Sequence, residues 1–479
     1  MKRGTMSRTA LTLLVLVTSF GLTPGAAEAA ERRPNVVLIL TDNQGAWTLG
    51  CYGNPDIRTP RIDELSREGA RFRHCYSSNA VCSPTRATLL TGLLPSQHGV
   101  HSYLTAGAPQ IGPRAYSTIA EFRSLPEILA EAGYTCGLSG KWHLGDNATP
   151  QEGFTDWTTM RHGHTTTFYD AEVIDGSEVR KEPGYLTEFW TDRGVRFIER
   201  HKDRPFFLYL AYNGPYGLGQ SLSQPARNRH AAYYADKRLA SFPREPAHPR
   251  LVANKKALNN VAAMRRYAAE VSGVDDGVGR IVDALDEHGV AENTIIVFTA
   301  DQGLACGQSG FWGMGDHTRP LTAYDWTMHV PLVFRHPGRI AAGTVSDLLV
   351  SNYDFLPTLL EHLGLQDKLP REPSLAGHSY AGALAGHTVE WEDAMYFEYE
   401  TTRAIRTSRW KYVSRFPDGP HELYDLGADP AERRNLIGES AHAERQRQLR
   451  GRLEAFFNRH ADPRYDLTRG GASKAPRRS

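Results

Sequence analysis

Apolar runs of five or six residues, each closing on a polar cluster, recur along the chain. Asn35 to Leu40 ends in Thr41-Asp42-Asn43-Gln44-Gly45, and Tyr134 to Leu138 runs into Ser139-Gly140-Lys141-Trp142-His143-Leu144-Gly145. Phe206 to Ala211, Thr294 to Thr299 (closing on Ala300-Asp301-Gln302-Gly303) and Val330 to Phe334 repeat the form. Short runs without polar alternation predict strands buried on both faces. Between them the period changes. Tyr267, Val271, Val274, Val278, Ile281 and Leu285 recur at spacings of four and three, the stripe of an amphipathic helix. Thr59-Pro60 starts a short helix carrying Ile62 and Leu65, and Ala70 to Tyr76 is strand-like. Ser124 with Glu127 forms a capping-box pattern for a helix through Leu129 that Gly133 ends. A helical segment surrounds Val195, Phe197 and Ile198, and Asp354 to Leu363 is helical with Pro357 in its first turn.

Strands alternating with helices predict an α/β fold: a large, mostly parallel sheet with right-handed crossovers, flanked by helices on both faces. Ligands in such sheets bind beyond the carboxyl ends of the strands. Asp42, Lys141, His143 and Asp301 all fall there. The pattern shortens near Glu390. From Ala394 on, short strands at Thr402 to Ile405, Trp410 to Ser414 and Leu423-Tyr424-Asp425-Leu426 lead to a charged helix through Leu449, Leu453 and Phe456. We therefore place a catalytic domain at 31–390 and a small C-terminal α+β subdomain with an antiparallel sheet at 391–468. The basic, Gly/Ser-rich stretch 469–479 is expected to be disordered. The polar stretch 221–260, rich in Pro, Arg and His, reads as a surface insertion near the mouth of the site.

Composition narrows the function classes. The 55 Lys and Arg nearly cancel the 54 Asp and Glu, so no global field favours nucleic acid or an anionic membrane. Residues 1–29 read as a signal peptide, with Lys2, Arg3 and Arg8, an apolar run from Ala10 to Phe20, and Ala27-Glu28-Ala29 before the cut. No later stretch is long and apolar enough to span a bilayer, so an exported protein, periplasmic or secreted, is expected. The five cysteines, Cys51, Cys75, Cys82, Cys136 and Cys306, are odd in number and too sparse for a disulfide scaffold.

Cys82-Ser83-Pro84-Thr85-Arg86, running on to Thr91-Gly92, carries the sharpest chemistry. Ser83 caps, Pro84 suits a first helical position and Gly92 closes the end, which puts Cys82 just before a helix N-terminus with Arg86 one turn inside. Unpaired N–H groups, the positive end of the helix dipole and a fixed cation make an oxyanion site. Asp42 and Asn43, and Asp301 and Gln302, form two oxygen-donor pairs at the ends of buried strands, each followed by a glycine. A single such Asp is usually a loop cap, but two pairs with no imidazole or thiolate beside them suit a hard cation, calcium or, second, magnesium.

The whole pattern C-x-P-x-R with Thr-Gly beyond it resembles the signature of the formylglycine-dependent (type I) sulfatases of the alkaline-phosphatase-like superfamily, and the resemblance runs from Asn35 to about Asn435. It implies that Cys82 is oxidised after translation to formylglycine by a formylglycine-generating or anaerobic sulfatase-maturing enzyme. It further implies that Asp42, Asn43, Asp301 and Gln302 bind a calcium that also touches residue 82. Gly140-Lys141-Trp142-His143-Leu144-Gly145 looks like the family's second signature, in which Lys141 would hold a sulfate oxygen and His143 would hydrogen-bond the formylglycine hydroxyl. In the implied mechanism one hydroxyl of the hydrated aldehyde attacks sulfur and expels the alcohol, and loss of the second hydroxyl's proton expels sulfate.

This chain departs from the family in places. The first metal pair is Asp-Asn where Asp-Asp is common, and the second is Asp-Gln where Asp-Asn or Asp-His is common, so weaker or less selective metal binding is expected. Gly214-Pro215-Tyr216 stands where a Pro-His usually assists the leaving alcohol, and Met314 where a lysine usually reaches sulfate. Tyr216, His317 and Arg319 are candidates to replace those contacts; His98, His101, His162 and His164 are further pocket candidates. The expected activity is hydrolysis of sulfate esters, with a sulfated carbohydrate as substrate on the grounds of resemblance and export. Two other readings remain: a phosphonate monoester or phosphodiester hydrolase of the same superfamily, and a catalytically weakened protein that binds sulfated glycans.

Overall fold

The structure, a computed structural model, describes Met1 and residues 33–107 and 109–478; the expected signal peptide lies outside the described residues. Eight strands carry the fold to the site: β1 (Asn35–Asp42), β2 (Ala70–Tyr76), β3 (Thr135–Gly140), β4 (Phe154–Met160), β5 (Tyr169–Asp175), β6 (Glu178–Tyr185), β7 (Phe206–Pro215) and β8 (Thr294–Ala300). All eight residues of β1 are buried, and they divide by parity. Val37 and Ile39 enter one apolar cluster, with Val271, Val274, Val278 and Ile281 of the long helix Val261–Glu287. Val36, Leu38 and Leu40 enter the other, with Ile128, Leu129 and Leu356 from helices on the opposite face. A strand buried on both faces has no polar side to show, which is why its run reads as unbroken. Burying each such side chain contributes roughly 1.5–3 kcal/mol.

The central strands stand in the order β8-β1-β7-β3-β4 and every neighbouring pair is parallel. The flanks differ. Leu332–Arg335 runs antiparallel to β8 and β2, and β5 and β6 extend the other edge as antiparallel strands. The sheet is thus parallel where it carries the site and mixed at its flanks, since Thr344–Ser351 pairs with β2 in parallel. β5 and the edge strand β6 leave no apolar run in the sequence, because many of their side chains face solvent.

A four-stranded antiparallel meander, Met395–Tyr399, Thr402–Arg406, Trp410–Arg415 and Glu422–Asp425, follows, and the helix Ala443–His460 packs on it through Leu449, Leu453 and Phe457. The expectation of disorder beyond residue 469 is corrected as far as residue 478. Lys474 N donates to Gly99 O at 2.8 Å, its ammonium binds Thr118 O and the Glu121 carboxylate, and Ala475 is buried. Composition counts too few apolar residues there to predict order. It cannot see that these cations find fixed acceptors on another part of the chain.

One helix bears on the site, α1 (Cys82–Thr91). The start of α1 also differs from expectation. Val81 is its N-cap, so Cys82 is the first helical residue rather than the one before it. Ser83 does not cap; its hydroxyl accepts from Leu104 N at 3.1 Å. Gly92 closes the helix as expected, with φ 71° and its N–H on Thr88 O.

Candidate active site

Parallel register brings the polar strand ends to one level. Thr41 stands beside Ala300, Asp42 beside Pro215 and Gly140 beside Ala211, so Asp42, Asp301, Lys141 and Tyr216 emerge along a single edge of the sheet. Backbone bonds lock the turns that follow: Tyr216 N to Asp42 O, Asp301 N to Thr41 O and Gln44 N to Gln302 O, all at 3.0 Å. Asn43, His143 and Tyr216 each take a left-handed conformation, φ 60°, 60° and 55°. That conformation is uncommon for such residues, and it bends the chain sharply off each strand so the side chains converge. Gly163 lets the ring of His143 approach, since a Cβ there would lie 1.9 Å from it.

Opposite charges meet at the centre. Arg86 donates to Asp301 Oδ2 through Nε at 3.0 Å and Nη2 at 2.8 Å, and Lys141 Nζ pairs with Asp42 Oδ2. All four side chains are fully buried, and their two negative and two positive charges cancel. Burial opposes the charge on Arg86, but Asp301, Tyr209 and Asp42 more than restore it, and Asp42 does the same for Lys141. Burial and the Asp42 carboxylate push Asp301 above the ordinary carboxylate range, against the pull of Arg86 and Lys141. Cys82 Sγ lies 3.4 Å from Asp42 Oδ1 and 3.2 Å from Gln302 Nε2. Burial and Asp42 push its thiol up, so the residue as encoded does not ionise to an active thiolate. His143 Nε2 donates to Leu104 O at 2.9 Å, which leaves Nδ1 of the neutral ring as an acceptor, buried and without a partner. Burial, then Lys141 and His164, hold that ring far below its ordinary value.

The donor set fits a hard cation. Asp42, Cys82 and Asp301 offer atoms within 4.8 Å of one another. Gln302 Nε2 donates to Asn43 Oδ1 at 2.5 Å, and its Oε1 is buried with no partner. An amide's two ends exchange by rotation, so that orphaned oxygen is a further ligand within reach. Carboxylate and amide oxygens suit calcium or magnesium.

The other side of residue 82 is looser. The Tyr216 ring stands 5.4 Å from Lys141 Nζ, and its carbonyl holds Asn43 Nδ2 at 3.0 Å. Met314 Sδ lies 3.9 Å from Gln302 Nε2, where it offers no charge. His317 faces its own loop: Nδ1 accepts from Met314 N at 3.1 Å, so the neutral ring carries its proton on Nε2. Asp316 Oδ1, 3.2 Å from that Nδ1, is close to it but not bonded. Of the other histidines, His98 bonds Thr88 Oγ1 and accepts from Val100 N, and His101 bonds Tyr465 O, so both serve the packing. His164 stands edge-on to His143 at 5.5 Å and to Tyr103 at 5.0 Å, and burial with Lys141 lowers it to about 4. Sequence reasoning missed Tyr103, which sits in an irregular loop without pattern, and Arg478, whose guanidinium lies 4.1 Å over the Tyr103 ring.

Comparisons with known proteins identify the family. A family model described as Sulfatase matches residues 34–365, and a second, N-sulphoglucosamine sulphohydrolase, C-terminal, matches residues 313–459. The chain is 27% identical to an N-acetylglucosamine-6-O-sulfatase of Bacteroides thetaiotaomicron, over 94% of this chain and 91% of that protein. It is 28% identical to an N-acetylgalactosamine-6-sulfatase of Canis lupus familiaris, over 94% and 84%. A solved structure in complex with its substrate D-glucosamine-2-N,6-O-disulfate superposes with a TM-score of 0.71 at 25% identity, covering 91% of this chain and 99% of that one.

Proposed function

The chain belongs to the sulfatase family of sulfuric ester hydrolases, and from that premise we propose that it removes sulfate from a sulfated carbohydrate, with residue 82 acting as formylglycine. The observation that carries this reading is the convergence of the C-x-P-x-R helix start with three parallel strand ends, which gathers Cys82, Arg86, Lys141, His143, Asp42 and Asp301 within one buried cluster. Amino-sugar sulfates are the favoured class. The relatives named above act on 6-sulfated N-acetylhexosamines, and the superposed structure holds a sulfated glucosamine.

Residue by residue, Arg86 and Lys141 hold the sulfate oxygens. Each is fixed by a carboxylate before substrate arrives, so little reorganisation is needed as charge develops. As a hydrated aldehyde, residue 82 supplies one hydroxyl for attack at sulfur and a second for release, which a thiol or serine lacks. His143 accepts the proton of that second hydroxyl at Nδ1, the buried atom left without a partner. Burial, then Cys82 and Asp42, keep the Tyr216 phenol protonated, and it donates a hydrogen bond to the departing alcohol oxygen. His317 supports this side by accepting the Met314 N–H at Nδ1. Asp42, Asn43, Asp301 and Gln302 would hold calcium, which when bound would draw charge from the sulfate oxygens. No described helix is long and apolar enough to cross a membrane; the signal-peptide reading is what supports an exported enzyme.

Mass spectrometry of the peptide containing residue 82, from protein made in a host with the maturation system, tests the nucleophile. Sulfate release from 6-O-sulfated N-acetylglucosamine and N-acetylgalactosamine, beside an aryl phosphonate, tests the reaction. An intact thiol together with no sulfate release would sink the reading, and turnover of the phosphonate alone would transfer it to phosphorus esters.

A further inference from the structure

The segment 470–478 runs back across the molecule and ends beside the active site. Its path is fixed by Lys474 on Gly99, Thr118 and Glu121, by the Arg478 N–H on the Glu400 carboxylate, and by Arg319 Nη2 on Arg478 O at 3.0 Å. These bonds deliver one side chain to a defined place. The Arg478 guanidinium carbon lies over the Tyr103 ring, 4.1 Å from its centroid. Tyr103 in turn meets His164, and His164 meets His143, so a file of rings links Arg478 to the catalytic cluster. The field agrees with the geometry: burial and Asp316 raise the half-buried Tyr103 phenol, Arg478 lowers it, and the residue 82 side chain acts on it as well.

Two features of Arg478 point to a ligand. Its Nε is buried without a hydrogen-bond partner, although a guanidinium is a fork of donors suited to a two-oxygen acceptor. Its seat over an aromatic face, with Cζ 4.1 Å from the ring centroid, restricts where the guanidinium can turn. Arg319, exposed and anchored on Asp316 O and Thr318 O, adds a second cation beside it. An arrangement built only to tie down the segment would not need the guanidinium, since the backbone bonds to Glu400 and Arg319 already do that.

We propose that Arg478, seated on Tyr103, forms an oxyanion subsite that recognises a second anionic group of the substrate, a sulfate or carboxylate set apart from the ester being cleaved. The proposal rests on the sulfated-sugar reading above and adds to it: the preferred substrates carry at least two negative charges. The residue acts on specificity and takes no part in the chemical step.

The test is sulfate release from three probes: glucosamine 6-O-sulfate, glucosamine-2-N,6-O-disulfate, and a disaccharide joining 6-O-sulfated N-acetylglucosamine to a uronic acid. Arg478→Gln should cut the preference for doubly charged over singly charged probe, read as the ratio of kcat/KM, about tenfold, mainly through KM. Arg478→Lys should keep most of that preference, and Arg477→Gln, an exposed neighbour, should match the unsubstituted enzyme. A drop confined to the N-sulfated probe or to the uronate probe assigns the second anion. Equal losses on all three probes, meaning a tether, or no change on any, would overturn the proposal. Failure of the unsubstituted enzyme on every probe would instead overturn the reading beneath it, so the two failures are told apart by its own rate.

Discussion

The two sides of residue 82 are built on different principles. On the cradle side, Asp42, Arg86, Lys141 and Asp301 are fully buried, each is paired, and each stands on or directly after a strand or in a helix. On the side proposed for the leaving group, Tyr216, Met314, Tyr103 and Arg478 come from irregular segments and His317 from a single 3-10 turn, and their contacts are ring faces, backbone groups and a thioether. The contrast separates what all substrates share from what distinguishes one from another. Sulfate has one geometry and needs a rigid, charge-matched cradle, whereas the alcohol varies, and loops vary with little cost to the core.

Replacing groups in order along that contrast should give graded losses. Cys82→Ala should lower sulfate release by at least about 10³-fold, because no oxygen nucleophile remains; measurable multiple turnover would break the assignment. Arg86→Ala or Lys141→Ala should cost about 10²–10³ in kcat, and also lower the thermal midpoint, since each strips a buried carboxylate of its partner. If kcat fell with no change in melting, the pairing described here would not hold. Tyr216→Phe should cost less, on the order of 10²-fold at most, on sugar esters and less still on aryl sulfates whose alcohol leaves unaided. His317→Ala should cost least of these five sites. A His317 loss exceeding that of Tyr216 would reverse the roles given to the two.

The metal end offers a gentler probe. Asn43→Asp adds a third carboxylate to the donor set and should tighten calcium binding by about tenfold or more, read by calorimetry and by the rise in melting temperature when calcium is added to chelated protein. Unchanged affinity would remove Asn43 from the set. The smallest effect concerns packing. Burial holds His98 and His101 below their ordinary value. The unfolded chain, with imidazoles near 6.5, therefore binds more protons than the folded one just below that pH. Stability should fall as pH drops through about 6.5, by about 1.4 kcal/mol per unit for each such ring. His98→Asn should flatten that slope in thermal melts, and an unaltered slope would count against it.

Much of the cradle was legible because strand ends and a helix start have local signatures. Asp42 and Asp301 close apolar runs, and Cys82 and Arg86 sit in one short motif, so chemistry and position are read together. The antiparallel closing strands and the ordered segment 470–478 were not legible. Edge strands show mixed polarity, and order in a polar segment comes from distant acceptors such as Glu121 and Glu400. Tyr103 belongs to this second class, as an unremarkable loop residue until Arg478 is laid on it.

The amino-acid sequence alone determined the α/β alternation, the C-x-P-x-R motif and the two oxygen-donor pairs, each a local property of residue type and spacing; the departures at Tyr216 and Met314 are visible only against the family resemblance. Tertiary structure alone decided the pairing of Arg86 with Asp301 and Lys141 with Asp42, the turning of His317 onto Met314, and the arrival of Arg478 at Tyr103. Those are contacts between residues far apart along the chain, set by strand register and loop path, and no local pattern encodes which distant partner a charge will meet.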